Sequence, residues 1–129
     1  MMILGIGVDI IENKRIKKII KKPSFIKRIF SQKEINYSKK ISKKINYFSK
    51  RFAAKEAFVK SIGTGFRDKL NFKDIEILND INGKPYYLIN NKINKIIYKI
   101  FNCKKYEFLL SISDEKDYSI AFSIFQKKK

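Results

Sequence analysis

The sequence predicts an α+β fold, a mostly antiparallel sheet packed on one long helix with several short helices around it. Three observations lead there. Residues 3–11, 106–113 and 118–125 read as strands, and 73–79 and 86–90 alternate apolar and polar residues at strand period. Asn82-Gly83 stands between the two alternating segments and is a strong hairpin turn pair, followed by Lys84-Pro85. Residues 46–62 form a long helical stretch that stops at Gly63-Thr64-Gly65. The whole chain, 1–129, reads as a single domain without repeats or a linker.

In chain order, ILGIGVDII at 3–11 is expected to be a buried strand, with Ile6, Val8 and Ile10 on one face and Gly5, Gly7 and Asp9 on the other. Two glycines leave that second face open for close helix packing or for a ligand. From Asn13, a candidate N-cap, to about Lys22 the spacing turns helical, with Ile16, Ile19 and Ile20 inward and Pro23 marking the end. A second helical stretch covers about 25–30. A third starts after Ser31, whose spacing to Glu34 fits a capping box. Residues 91–101 are helical by the spacing of Ile93, Ile96, Ile97, Ile100 and Phe101. The last two strands flank Asp114-Glu115-Lys116-Asp117, an ordinary acidic turn, and the tail from Lys127 is expected to fray. Tyr86, Tyr87 and the phenylalanines read as core, and Cys103 as an inert, partly buried thiol.

Composition narrows the chemistry. There are 129 residues, 44% of them hydrophobic, enough for a real core and against disorder. One cysteine rules out an internal disulfide and suits a reducing compartment. With no histidine, a zinc site of the usual kind cannot be built within one chain. A metal would be held by carboxylates, which favours a hard ion such as Mg²⁺. No stretch is apolar enough to span a membrane, and no targeting segment is visible, so a soluble, cytoplasmic protein is expected. The net charge of +18 rests almost wholly on lysine, only Arg15, Arg28, Arg51 and Arg67 being arginine. Abundant Ile, Asn, Phe and Tyr beside it fit a drift toward AT-rich coding, so the charge is weak evidence for nucleic acid. Such a surface still attracts acidic partners, more strongly at low salt.

The residues that could carry chemistry centre on RFAAKEAFVKSIGTG, 51–65. Glu56 and Lys60, four apart, share one helical face that Gly63 continues. A carboxylate, an ammonium and a glycine-flanked threonine suit a metal-bound phosphate. On spacing alone, such a pair is equally an ordinary solvated one, worth about 0.3–0.5 kcal/mol. Asp9 adds weight, because a carboxylate in an apolar strand needs a donor or a metal. It could instead cap the turn after the strand.

GIGVDIIE at 5–12 and RFAAKEAFVKSIGTG at 51–65 resemble the holo-acyl-carrier-protein synthases, small bacterial phosphopantetheinyl transferases. The likeness continues through LNFKDIEILNDINGKPY at 70–86 and SISDEKDYSIAFSIF at 111–125, nearly the whole chain in the family's order. It implies a phosphopantetheinyl transferase-like fold, a homotrimer, and transfer of phosphopantetheine from coenzyme A to a serine of acyl carrier protein in fatty acid biosynthesis. By the same likeness Asp9 and Glu56 bind Mg²⁺, and Glu56 and Lys60 are catalytic, with Lys60 near the coenzyme A phosphates. Gly63, Thr64, Gly65, Gly83, Lys84 and Pro85 line the nucleotide pocket. Arg51 is a candidate for phosphate contact or interface pairing, and Arg15 on the first basic helix matches a position facing the acidic carrier protein. One departure stands out: Leu109 occupies the position where many members have histidine. Histidine therefore cannot be the general base, which leaves Glu56 or a metal-bound water. The rival reading is a basic nucleic-acid-binding, ribosome-associated domain, which lacks an RNP aromatic motif or a basic recognition stripe. A third keeps the fold without catalysis. No nucleic-acid or membrane partner is expected.

Overall fold

The computed structural model describes residues 2–63 and 70–129. The elements run β1 (Met2–Glu12), α1 (Asn13–Ile19), α2 (Pro23–Ile29), α3 (Gln32–Ser38), α4 (Lys44–Ile62), a 3-10 turn (Phe72–Asp74), β2 (Glu76–Asn79), β3 (Pro85–Leu88), α5 (Asn91–Phe101), β4 (Tyr106–Asp114) and β5 (Tyr118–Lys127). The α+β architecture is as the sequence predicts. All strand pairing among the described residues is antiparallel, divided between a sheet of order β1-β5-β4 and the hairpin β2-β3.

The close approach of α4 to β1 sets the geometry of the molecule. A Cβ on Gly5 would lie 1.8 Å from the Ser61 carbonyl oxygen, and one on Gly7 1.9 Å from that of Ala57. Helix and strand touch backbone to backbone, so both glycines serve packing rather than a ligand. Opposite them α4 offers Ala57 and Ser61, both buried. The core then spreads through Phe58, which meets Tyr87 and Phe108, and Phe125, which stacks on Phe108.

This packing corrects the expected burial of β1. Ile11 is buried with the glycine face, while Ile6, Val8 and Ile10 are 60%, 49% and 61% exposed. On the same outer face, register aligns Ile6 with Ile124 and Leu109, Val8 with Phe122, and Ile10 with Ile120. The result is a contiguous exposed apolar surface, larger than scattered surface apolar residues would make. The strand has two faces of opposite wetness, and Ile6, Val8 and Ile10 are on the wet one.

Local signals decide most boundaries. Ser31 and Glu34 form the expected capping box, and Asn90 caps α5 through the Ile93 N–H. Gly63 ends α4 with φ of 83°, the left-handed stop that glycine adopts freely. Asn13 differs from expectation: it is the first residue of α1, after Glu12 at the cap. Its side chain donates instead to the Glu115 and Lys116 carbonyls and accepts from Ser119 Oγ, tying α1 to the β4–β5 turn. Pro23 opens α2 rather than closing α1, as the missing N–H of proline allows. The hairpin turn spans Asp80–Lys84, with Gly83 alone at positive φ, a three-residue connection in place of a two-residue Asn-Gly turn. Tyr86 is exposed, whereas Tyr87 is buried. Lys127 ends β5, and the Lys128 N–H bonds the Lys105 carbonyl, so the tail is paired to that point.

Candidate active site

Asp9 follows Gly5 and Gly7 on the inner face of β1, at the flank of α4, where Glu56 and Lys60 project. Lys60 Nζ lies 3.2 Å from Asp9 Oδ1 and 3.0 Å from the Val8 carbonyl oxygen. The lysine thus reaches across to the strand instead of remaining a solvated partner within its own helix. Glu56 is half-buried, and its carboxyl is pushed above its ordinary range by burial first and by the charge of Asp9 second, with Lys60 opposing. Strand and helix therefore bring two carboxylates and one ammonium to one spot, with negative charge in excess.

Such a donor set fits a hard divalent cation. Its ligating atoms are carboxylate oxygens, and the two carboxylates outnumber the single ammonium of Lys60 beside them. No group of three or more metal-ligating side chains occurs among the described residues. The remaining coordination would have to come from water and from oxygens of a bound phosphate, the sparse arrangement typical of Mg²⁺.

Arg51 occupies a different face of α4. It is 4% exposed, its guanidinium lies 3.9 Å from the centre of the Tyr47 ring, and it donates to Asn79 Oδ1. Asn79 Nδ2 in turn donates to the Gly83 carbonyl at 2.9 Å. Arg51 is thereby joined to the turn carrying Gly83, Lys84 and Pro85. Burial lowers the pKa of the guanidinium, and its Nε, also buried, has no hydrogen-bond partner in the protein. A 160 Å³ pocket, lined by Tyr37, Lys43, Lys50, Arg51, Asn79 and Asp114 among others, opens beside it. Three cations around one small pocket suit an anionic ligand, tempered by Asp114, which pairs with Lys50 at 3.7 Å.

One chain therefore assembles two groups. Asp9, Glu56 and Lys60 face β1; Arg51, Gly83, Lys84 and Pro85 lie by the hairpin. Gly63 sits at the end of α4, and Thr64 and Gly65 fall outside the described residues. Arg15 is exposed on α1 amid the exposed Lys14, Lys17 and Lys18. Leu109 lies on the outer apolar face of the sheet, the side opposite Asp9. Asn79 is a link that sequence reasoning missed, because an asparagine before Asp80 reads as a turn former. The pairing of Lys55 with Glu34 was missed as well: a lysine within an alanine-rich, apolar stretch was the available signal.

Comparison with known proteins identifies the family. The model of the 4'-phosphopantetheinyl transferase superfamily matches residues 5–123. A holo-(acyl-carrier-protein) synthase of Pelagibacter ubique is 59% identical over 99% of this chain and 100% of its own length. The crystal structure of the Neisseria meningitidis holo-(acyl-carrier-protein) synthase is similar with a TM-score of 0.88 at 38% identity, covering 98% of this chain and 100% of that one. The Bacillus anthracis synthase, solved in complex with coenzyme A (3',5'-ADP), gives 0.82 at 35% identity over 99% and 100%. The chain belongs to the 4'-phosphopantetheinyl transferase superfamily, among the holo-(acyl-carrier-protein) synthases.

Proposed function

We propose that the protein transfers the 4'-phosphopantetheine arm of coenzyme A to a serine of apo-acyl carrier protein, with Mg²⁺ as cofactor, in support of fatty acid biosynthesis. The observation that carries this reading is the meeting of Asp9, Glu56 and Lys60, in a chain whose full-length relatives are named for the reaction. Asp9 and Glu56 would hold the metal. When bound, Mg²⁺ neutralises charge on the pyrophosphate oxygens. Lys60 is poised to exchange Asp9 for a phosphate oxygen and to stabilise the departing nucleotide. The carrier serine forms the new bond to the phosphorus that bears the pantetheine arm. The pyrophosphate P–O bond breaks, and adenosine 3',5'-bisphosphate leaves. Glu56 would be the carboxylate of this chain placed to accept the serine proton, a role that needs no histidine.

Three copies assembled through the exposed sheet face would bury Ile6, Val8, Ile10 and Phe122. Such a homotrimer would also let the Arg51–hairpin group of one chain serve the carboxylates of the next, since a single chain holds them on separate faces of α4. The lysines around Arg15 would steer the acidic carrier protein into place. Asp9→Asn and Glu56→Gln are expected to lower kcat/KM by about 10²–10³-fold. Both should also abolish the rise in Tm that Mg²⁺ gives the wild type. Full activity at limiting Mg²⁺ in either variant would overturn the site assignment.

A further inference from the structure

Lys55 is fully buried, next in sequence to Glu56, and the steps proposed above make no use of it. Its ammonium donates to Glu34 Oε1 at 2.7 Å, to the Phe72 carbonyl at 2.9 Å and to the Ile75 carbonyl at 2.8 Å. Glu34 accepts in addition from the Ser31 N–H at 2.9 Å and, through Oε2, from the Ile77 N–H at 3.2 Å. Both side chains of the pair are 0% exposed. Burial lowers the lysine's pKa and the neighbouring carboxylate raises it, so the pair works against its own desolvation.

A buried ion pair is a poor way to gain stability, because apolar residues of the same volume do as well or better. Five directed bonds do something an apolar pair cannot. They fix the start of α3, the middle of α4 and the segment 72–77 relative to one another. That segment leads directly into β2, whose far end, Asn79, is held by Arg51. Arg51 and Lys55 are four residues apart, so they share one face of α4 and grip β2 at both ends. Glu56 and Lys60 occupy the adjoining face, toward Asp9. Helix α4 thus carries two stripes in fixed angular relation, one holding the hairpin and one holding the carboxylate cluster.

We infer that Lys55, through its buried pair with Glu34, is a positioning residue for coenzyme A, setting where the Gly83-Lys84-Pro85 turn stands relative to α4. The inference rests on the reading of that turn as part of the nucleotide pocket. Lys55→Met alone would strand a buried carboxylate and could unfold the protein. The informative variant is therefore E34Q/K55M, in which both charges leave together, with E34Q alone as the milder companion. Steady-state kinetics on the full-length protein, with coenzyme A and apo-carrier varied in turn, read the effect.

The expected result is a folded E34Q/K55M whose KM for coenzyme A rises about tenfold while its KM for the carrier stays within about twofold. E34Q, which leaves Lys55 on the two carbonyls but loosens Ile77, is expected to fall between. A native KM for coenzyme A in whichever of these variants folds would overturn the inference and make the pair a matter of stability alone. Lys84→Ala, measured beside them, separates the two possible failures. If it raises the KM for coenzyme A while the pair variants do not, only the positioning role falls. If it too leaves that KM native, the pocket reading falls as well.

Discussion

Asp9 and Glu56 share a site of net negative charge that Lys60 offsets only in part. The sign of the pH effect follows. Glu56 has a folded pKa above its ordinary value of 4.5, with burial the larger cause. Ionising it costs stability: the cost is absent below the ordinary value, grows as pH rises through the raised one, and is complete above it. E56Q is therefore expected to be more stable than the wild type at neutral pH without metal, with the difference vanishing below about pH 4.5. Saturating Mg²⁺ should reverse the order, because only the wild type gains a ligand. Urea titrations at both pH values, with and without Mg²⁺, check it. At this scale the sequence made the cluster legible: a carboxylate in an apolar strand and a Glu–Lys pair at helical spacing are local facts. It left Arg51 and Lys55 obscure, since both are cations whose partners, Asn79, Glu34 and the Phe72 and Ile75 carbonyls, come together only in the fold.

Among the elements, α4 does the most, packing on β1 along one side, gripping β2 on another and presenting Glu56 and Lys60 between. Its contact with β1 tolerates no side chain at Gly7, where a Cβ would sit 1.9 Å from the Ala57 carbonyl oxygen. Gly7→Ala is expected to cost about 2–3 kcal/mol, read from the urea midpoint, and to lower activity by displacing Asp9 two residues on. Elements whose ends are written locally were legible, α3 by its capping box and α4 by Gly63. Asn13 looked like another such cap, yet its amide is taken by the β4–β5 turn more than 100 residues away. Propensity at a single position cannot anticipate a tertiary competitor. The facing of β1 went unread for a related reason: alternation identifies two faces, and the wet one depends on where the helix lands.

For the molecule as a whole, the outer sheet face is the strongest argument for assembly. A β-sheet with Ile6, Val8, Ile10, Ile120 and Phe122 outward is expected to be covered. With three copies joined through that face as proposed, Phe122→Glu should yield a folded chain of unchanged helix content whose mass by light scattering is that of one copy where the wild type gives three. Activity should fall with it, because the hairpin group and the carboxylates would no longer meet across chains. The +18 net charge has a place in the same picture, drawing acidic carrier and phosphorylated cofactor alike to the surface. Leu109 sits on that outer face, the side of the sheet opposite the Asp9 cluster of its own chain. The most direct test of the central claim is the intact mass of apo-acyl carrier protein after incubation with this protein, coenzyme A and Mg²⁺. The expected result is a gain equal to the phosphopantetheine group, abolished by EDTA. An unchanged mass, with folded protein and a carrier that an active synthase does modify, would contradict it.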